Sequence, residues 1–492
     1  MDERAALAPP STTSPTLTAA RRLTAGTLCA VAVFGLAHRL SGDLWTMRIA
    51  IVSLLAFLAV GQGAIQTRER ILIAVAVILT VVDLSVDPSA PATITGALAQ
   101  ASFLAAFMIL IGVLKDAAVT SASVRDLGEY VTRQKPSRRY GAIATGAHTL
   151  TALTNVGALA LLTPLIQAGV AAGRAAGDPP FISAIKERRQ ITAMQRGFAV
   201  VIIWAPTTVT QALLITMFPG AAATTILVAG LGLAILWMGV GWLEDLVRWR
   251  ATLKTLTQTG GLPQRRPPLP APRGAMADLV AVILALLVAV VVAAQAFDTE
   301  VVPALMMVAP LVTVGWIATQ NAGLGARAAG VVRRRAVGLL TRTVPQSAPE
   351  AVTLAAAGYV GAMLAAVVPP EAVAWTLEFG PVGQFAVVAV LPIAIVALAQ
   401  VAVTPIVFSV FIASAFADLG ALPGPPALMI LSIAAGWSLS LTCSPYTAGP
   451  LILRRLSGLD PFDLAWGWHW AYNAAAYLTL VAYLGVVAAF VW

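Results

Sequence analysis

Two apolar segments of the chain are interrupted by proline and by polar residues, at matching positions in its two halves. Residues 197–215 carry Pro206, and residues 436–453 carry Pro445. Proline interrupts a helix because it has no backbone N–H to donate. Paired interruptions of this kind are typical of transporters built from inverted repeats, in which half-helix ends face an ion or substrate at the bilayer midplane. The pattern predicts a carrier.

The residue types around these interruptions suit an anion. An anion in a dry cavity must exchange its hydration for fixed donors, and free N–H groups at a helix N-terminus supply them with a favourable dipole. Side-chain amides and hydroxyls can complete the shell, and unwound carbonyls near Asn155, Pro206 and Pro445 could hold a sodium ion. The alternative is that each hydroxyl bonds its own helix backbone and each proline only bends its helix. The predicted binding residues are Thr154, Asn155, Val156, Pro206, Thr207, Thr208, Thr210, Gln400, Thr404, Pro405, Thr442, Ser444, Pro445, Tyr446 and Thr447.

Charged residues are absent from both interrupted stretches, 197–215 and 436–453. Because intramembrane charges usually mark proton relays, this absence argues against an antiporter with a carboxylate pair. His148 precedes the predicted tip at Thr154 and is the candidate for carrying a coupling proton, with a packing role as the alternative. His469, between two tryptophans, is predicted to lie at the membrane interface. The expected coupling ion is therefore sodium or a proton, and no other cofactor is predicted.

Composition assigns the chain to the polytopic membrane proteins. Of its 492 residues, 59% are hydrophobic and 11% are charged, which is more apolar surface than a soluble core could bury. Its apolar runs reach the roughly 20 residues that a helix needs to cross a bilayer. The net charge of +9 lies in short loops, where positive-inside bias places it, so nucleic acid is not a predicted partner. Only Cys29 and Cys443 are present, which excludes a disulfide framework.

The charges that flank the apolar runs predict orientation and two hairpins. A basic loop with Arg68 and Arg70 places the N-terminus in the cytoplasm of a bacterial inner-membrane protein. Residues 141–173 have basic residues on both flanks, so one crossing would put a basic cluster outside. Two arms of about 14 residues that meet at Thr154 predict a re-entrant hairpin instead. Residues 382–418, with a polar break from Gln400 to Pro405, predict a second hairpin that enters from outside.

The sequence thus predicts an all-α polytopic membrane protein with an inverted-topology repeat, about eleven transmembrane helices and two re-entrant hairpins. The mobile unit is expected to contain the hairpins, the interrupted helices and the last span of each half. The predicted parts are a disordered cytoplasmic tail (1–20), an extra first helix (21–40), a first repeat (41–243) with hairpin 141–173 and interrupted helix 195–218, a basic cytoplasmic linker (244–275), and a second repeat (276–492) with hairpin 382–418 and interrupted helix 427–453.

Short motifs carry a resemblance to a known superfamily. The tip sequence TNVGALALLTP, which begins at Thr154, is similar to the Ser-Asn-Thr tip of the ion transporter superfamily, with Val156 departing from it. Its counterpart on the outer hairpin is predicted at Ala399, Gln400 and Val401. The chain resembles the divalent anion/sodium symporters of that superfamily and, more distantly, arsenite-pump-type and sodium/proton antiporters. The resemblance implies elevator motion, a homodimer and cation coupling.

The predicted function is secondary active transport, as an elevator-type, cation-coupled symporter of small organic or inorganic anions. Its predicted partners are the small anionic substrate and the lipid bilayer. An exporter or antiporter of metalloid oxyanions or cations on the same fold is the alternative. An enzyme is not predicted, because the chain contains no His-Glu-x-x-His or paired-carboxylate metal motif.

Overall fold

The computed structural model describes residues 19–218, 220–258, 269–369 and 371–491. This part of the chain is helical without a strand, and ten of its helices are long and apolar enough to cross a membrane. The predicted class, an all-α polytopic membrane protein, is confirmed. The predicted tail 1–20 lies outside the described residues, except for the two alanines that begin the first helix.

Within residues 19–218 and 220–258 the first half forms eleven α-helices, and a short 3₁₀ turn, Val201–Ile203, follows the ninth. They are α1 (Ala19–Ser41), α2 (Leu44–Val60), α3 (Thr67–Val86), α4 (Ala90–Gly112), α5 (Leu114–Val119), α6 (Ala122–Thr132), α7 (Pro136–Thr154), α8 (Gly157–Ala175), α9 (Pro180–Val200), α10 (Val209–Met217) and α11 (Ala223–Gln258).

The second half also contains eleven α-helices in the described residues. They are α12 (Arg273–Ala296), α13 (Val301–Gln320), α14 (Ala328–Gly338), α15 (Val344–Gln346), α16 (Ala348–Val367), α17 (Glu371–Ala374), α18 (Pro381–Gln400), α19 (Pro405–Leu419), α20 (Pro426–Cys443), α21 (Ala448–Ser457) and α22 (Trp468–Val491). Short 3₁₀ and π segments lie at Gln62–Ala64, Ala322–Arg327, Leu339–Thr343, Trp375–Leu377 and Asp463–Gly467.

One group of helices is centred on the contact between α4 and α16. Helix α1 packs on α2 and α4, α3 packs on α16, and α12 packs on α13. Helices α4 and α16 approach closely at Gly358, where an added Cβ would overlap the side chain of Leu104. We call the group formed by α1 to α4, α12, α13 and α16 the scaffold.

A second group, which we call the hairpin bundle, contains α7 to α11 and α18 to α22. Helix α7 packs along α9, and α18 packs along α20. Both contacts run through a glycine that lies nine residues before the break proline: Gly197 before Pro206 and Gly436 before Pro445. A Cβ at Gly197 would overlap the carbonyl oxygen of Ala144, and one at Gly436 would lie 2.6 Å from a backbone atom of α18. The two halves therefore use the same close approach at equivalent positions.

Two predicted boundaries were wrong. The first interrupted helix begins at Pro180 and not at residue 195, and α11 continues to Gln258 through the first part of the predicted linker 244–275. The charges in these stretches indicated loops, but they pair on helices. Arg189 donates to both carboxylate oxygens of Asp245 at 2.7 Å, and Arg248 pairs with Glu244 one turn away. Ion pairing between neighbouring turns and helices keeps charged segments helical.

Candidate functional site

A cavity of about 840 Å³ lies between the scaffold and the hairpin bundle. Its volume is in the range of small-molecule sites. Both helix turns predicted as hairpin tips and both helix interruptions contribute to its wall. Of the predicted binding residues, those that line the cavity are Thr154, Asn155, Val156, Thr207, Thr404, Pro405, Tyr446 and Thr447.

The chain turns at Asn155 between α7 and α8 and at Ala402 between α18 and α19. Both residues have positive φ, 54° and 63°, and they are two of the three non-glycine residues of this kind in the described chain. Such backbone conformations cost free energy and concentrate at functional sites. Since Ala402 occupies the position equivalent to Asn155, the predicted counterpart at Ala399, Gln400 and Val401 was wrong by two residues.

Gln400, whose turn the sequence predicts to face Asn155 across a central cavity, does not line that cavity, so this prediction was wrong for its side chain. Its side chain is absent from the cavity wall. Its Nε2 donates to the carbonyl oxygens of Val396 at 3.2 Å and Cys443 at 3.3 Å, and Trp466 donates to its Oε1 at 3.1 Å. The amide thus connects the end of α18 with the second interruption.

Each turn is also hydrogen-bonded to the interruption of its own half. The Thr207 hydroxyl donates to the carbonyl oxygen of Ala152 at 2.7 Å, and the Ser444 hydroxyl donates to that of Ala399 at 2.6 Å. The two acceptors are equivalent, because Ala152 lies three residues before Asn155 and Ala399 lies three residues before Ala402. In both halves, the turn and the interruption form one unit.

The first interruption is stabilised by side chains that replace lost backbone donors. Pro206 cannot donate to the carbonyl of Ile202 four residues earlier. The Gln211 Nε2 donates to that carbonyl at 3.2 Å instead. The Thr208 hydroxyl donates to the carbonyl oxygen of Ala205 at 2.7 Å, just before α10 begins.

The second interruption repeats this arrangement with different residues. Pro445 cannot donate to the carbonyl of Leu441, and the Gln195 Nε2 from α9 donates to it at 3.0 Å. The Thr447 hydroxyl donates to the carbonyl oxygen of Ser444 at 2.9 Å, as Thr208 does in the first half. The equivalence of Pro206 and Pro445, which the sequence indicated, therefore extends to the hydrogen bonds around them.

Four helices begin at the cavity. Helix α8 begins after Asn155 and Val156, α10 begins at Val209, α19 at Pro405 and α21 at Ala448, and all of these residues line the wall. Helix N-termini carry unpaired N–H groups and a partial positive charge. The carbonyls at the opposite, negative ends already accept side-chain donors at Ala152, Ala399 and Leu441. The wall is therefore richer in donors than in free acceptors.

The hydroxyl of Thr404 is available to a ligand. Thr404 is 8% exposed and lies directly before α19, and its Oγ1 is buried without a hydrogen-bond partner in the described part of the protein. A buried polar atom left without a partner costs free energy. Because Thr404 lines the cavity, a bound polar group could satisfy it.

Basic side chains also line the cavity. Asp116 is the one acidic lining residue that forms an ion pair in the described chain, with Arg335 at 2.9 Å. Glu69 accepts a hydrogen bond from the Thr353 hydroxyl at 3.0 Å. Four lining cations form no ion pair with the described residues, and they are Arg68, Lys115, Arg342 and Arg455. The lining acids are Glu69, Asp116 and Glu350.

The cavity opens on one side. Lys115, Arg342 and Arg455, like Arg68, lie in or beside stretches rich in Lys and Arg, which positive-inside bias places in the cytoplasm. Residues 298–300 and 369–381 contain acidic residues and no Lys or Arg, which predicts an outer position, and they contribute nothing to the wall in the described residues. On the other side α19 packs against α16. A Cβ at Gly361 would lie 2.6 Å from the carbonyl oxygen of Val407, so these two helices are in close contact.

The other predicted residues lie behind the wall. Thr442 donates to Asn473 at 2.7 Å. His148 is stacked on Trp204, with ring centroids 5.7 Å apart, and the indole Nε1 donates to its Nε2 at 3.1 Å. This places His148 between α7 and the first interruption, away from the cavity. The predicted binding residues that do not line the cavity are Pro206, Thr208, Thr210, Gln400, Thr442, Ser444 and Pro445.

A buried charge network is the main feature that the sequence analysis missed. Arg196, 3% exposed, donates to Glu244 at 2.9 Å and to the Tyr140 hydroxyl at 3.1 Å, and it lies 4.3 Å from the ring centroid of Tyr472. His469 is fully buried beside it. Its predicted position at the membrane interface stays a prediction. The available signal was an arginine directly before the apolar stretch that begins at residue 197.

The carbonyls proposed for sodium are already engaged. Those of Leu441, Ala205, Ser444 and Ala152 each accept a side-chain hydrogen bond. A sodium ion at these oxygens would have to share them with the donors or displace the donors. Among the described residues there is also no group of three or more His, Cys, Asp or Glu side chains placed to hold a metal ion. The coupling ion stays a prediction.

Comparisons with known proteins give a likeness of fold. No family model matches the chain, and no curated protein matches it. The structure is similar to the crystal structure of the YdaH transporter from Alcanivorax borkumensis, which is described as revealing an unusual topology. The two chains are 15% identical, the match covers 86% of this chain and 98% of that chain, and the TM-score is 0.50. At this identity the likeness shows the fold alone.

Proposed function

We propose that this protein is a secondary active transporter of small organic or inorganic anions, and that the cavity is its substrate site. The observation that carries the proposal is that four helices begin at one cavity. The carbonyl groups at the ends of the preceding helices already accept hydrogen bonds from side chains, so the free backbone groups at the cavity are mainly donors. N–H groups at helix N-termini bind anions without further charge. The three lining arginines that form no ion pair with the described residues, Arg68, Arg342 and Arg455, add to the same preference.

The proposed mechanism is alternating access by an elevator-type movement. The cavity opens on the side predicted as cytoplasmic, while α19 contacts α16 on the other side. Movement of the hairpin bundle along the scaffold would break the α19–α16 contact and bring the site to the outer face. An anion that binds one arrangement more tightly than the other shifts the populations of the two.

The coupling ion, assembly and location belong to the same proposal. We expect coupling to sodium or a proton, a homodimer, a bacterial inner-membrane location and no enzymatic activity. The fold neighbour is itself described as a transporter, which supports the class of function and none of these details.

Reconstituted vesicles can test the proposal. A radiotracer panel of monocarboxylates, dicarboxylates, sulfonates and inorganic oxyanions would be assayed with an imposed sodium or proton gradient. We expect saturable, gradient-dependent uptake of at least one anion, and exchange in the opposite direction would identify an exporter or antiporter. Arg455→Gln should reduce uptake, whereas Arg454→Gln, which changes a neighbour that does not line the cavity, should retain it. Transport of cations and of no anion would contradict the proposal.

A further inference from the structure

A directed chain of hydrogen bonds connects Arg196 with the second interruption. The Arg196 Nε donates to the His469 Nδ1 at 3.2 Å. The His469 Nε2 and the Gln195 Oε1 are 3.1 Å apart, and the Gln195 Nε2 donates to the carbonyl oxygen of Leu441 at 3.0 Å. Arg196, His469 and Gln195 are each at most 3% exposed, so water does not compete for these bonds.

The hydrogen bonds from Arg196 to Leu441 can run in only one donor-to-acceptor direction. A guanidinium N–H can donate and cannot accept, so the Nδ1 of His469 must be the acceptor. The ring is then neutral with its proton on Nε2, and it donates to the Oε1 of Gln195. That bond fixes the orientation of the Gln195 amide, because its NH₂ group is left to face Leu441. Each proton position thus follows from the permanent charge of Arg196.

The end of the chain is the carbonyl that Pro445 leaves without a donor. Leu441 lines the cavity, and its oxygen lies at the last turn of α20 before the interruption. The fit around this oxygen is close, because a Cβ at Gly449 would lie 3.2 Å from it and 3.7 Å from the Gln195 Nε2. An unsatisfied carbonyl in the membrane would favour rearrangement of the break.

The first interruption provides an internal comparison. Gln211 caps the carbonyl of Ile202 as Gln195 caps that of Leu441. The Oε1 of Gln211 is buried and has no partner in the described residues, whereas the Oε1 of Gln195 is bonded to His469. Only the second cap is therefore oriented by a neighbouring side chain.

We propose that His469 is a positioning residue that fixes the Gln195 amide and thereby holds the second helix break in the shape that forms the cavity wall. The effect of His469 on substrate binding rests on the proposed function, whereas its effect on the shape of the helix break does not. These hydrogen bonds also connect α9, α20 and α22. Arg196 adds connections to α7 and α11 through its bonds to Tyr140 and Glu244. All five of these elements belong to the hairpin bundle.

Cys443 offers a readout that needs no substrate. It is half-buried, it lies between Leu441 and the break proline, and the only other cysteine is Cys29. In a Cys29→Ala background, purified protein in detergent would be treated with N-ethylmaleimide, and the alkylation rate of Cys443 would be followed by mass spectrometry. A loosened break exposes the thiol more often, since local opening controls access to buried groups.

His469→Leu and Gln195→Met should each raise the alkylation rate about tenfold, because each removes a link of the chain. His469→Gln should restore a rate near that of the parent, since one amide can accept from Arg196 and donate to Gln195. Gln211→Met, the matched change at the first break, should leave the Cys443 rate unchanged. Thermal unfolding of each variant would be recorded in the same detergent, and Gln195→Met keeps the test open if His469→Leu does not fold.

Two results would overturn the proposal. The first is a parent-like rate in both His469→Leu and Gln195→Met, which would show that the break does not depend on the chain. The second is an equally raised rate in His469→Gln and His469→Leu, which would show that ring packing and not hydrogen-bond polarity matters. If no anion is transported in the vesicle assay, the proposed function fails, but the alkylation rates of Cys443 still decide the role of His469.

Discussion

The two helical hairpins differ in what their second arms contact. Helix α8, the second arm of the first hairpin, packs on α9 and α21 within the hairpin bundle. Helix α19, the second arm of the other hairpin, packs on α16 of the scaffold. The first arms are alike, because each lies along its own interrupted helix through a glycine at an equivalent position, Gly197 or Gly436.

This difference explains why the cavity opens on one side. Where α8 stays with the bundle, the space between bundle and scaffold is left open, and basic residues line it. Where α19 meets α16, that space is closed. If both hairpins made the same contacts, the space between bundle and scaffold would be open on both sides or closed on both. The difference between the hairpins therefore corresponds to one state, in which the cavity is open on one side only.

The largest difference is expected between the two tips. Asn155→Ala should abolish anion uptake in vesicles while leaving membrane insertion intact, because Asn155 lines the cavity and alanine removes its amide. Ala402→Gly should retain uptake and stabilise the protein slightly, since glycine adopts positive φ without steric cost. Uptake by Asn155→Ala at the parental rate would show that the first tip contributes only its backbone.

The shared glycine contacts should be the most sensitive points for stability. Gly197→Ala and Gly436→Ala should each lower the free energy of unfolding by about 1 to 3 kcal/mol or more, because an added methyl group meets backbone atoms. The loss should be larger at Gly197, where a carbonyl oxygen is overlapped. Thermal unfolding in detergent measures both. Gly169→Ala in α8 is the control, since nothing lies within 4 Å of its added Cβ.

A smaller effect is expected at the contact that distinguishes the hairpins. Gly361→Ala should weaken the packing of α19 on α16 by about 1 kcal/mol, the lower end of the range for an added methyl group. In a background without native cysteines, Thr404→Cys would report the change through its reaction with a membrane-impermeant maleimide added to the predicted outer face. We expect faster labelling in the Gly361→Ala variant. Equal labelling with and without this change would mean that the α19–α16 contact does not close the cavity.

The smallest effects should come from the two ties between tip and interruption. Thr207→Val and Ser444→Ala each remove one hydrogen bond to a carbonyl, and each should cost roughly 1 kcal/mol. Similar losses in thermal unfolding would show that the two halves share this device. If only one variant loses stability, the two halves also differ in how the turn is held to the interruption.

The interruptions could be predicted from the sequence because proline and apolar length act locally. Pro206 and Pro445 stop their helices wherever the chain places them, and α10 and α21 restart three residues later in both halves. The residues that follow each proline also reach the cavity wall. The polar break predicted from Gln400 to Pro405 was located for the same reason, because α18 ends at Gln400 and α19 begins at Pro405. The residue with positive φ inside that break could not be predicted, since Ala402 is neither glycine nor asparagine.

The buried network could not be predicted because its partners are distant in the chain. Arg196 is 48 residues from Glu244 and 273 residues from His469. Only the packing of α9 against α11 and α22 brings them together. Long-range pairing also contributes to the lengths of α9 and α11, because Arg189 of α9 pairs with Asp245 of α11, and both charges had indicated loops.

The unpaired cations of the cavity have a consequence for kinetics. Arg68, Arg342 and Arg455 are exposed at the opening, so their field extends into solution. That field is screened over a Debye length of about 8 Å at physiological ionic strength. Under the proposed function, added salt should slow the encounter between a cytoplasmic anion and the opening. The helix N-termini lie deeper in the wall, so dissolved ions screen their charge much less. Salt would then affect how fast an anion arrives more than how tightly it is held.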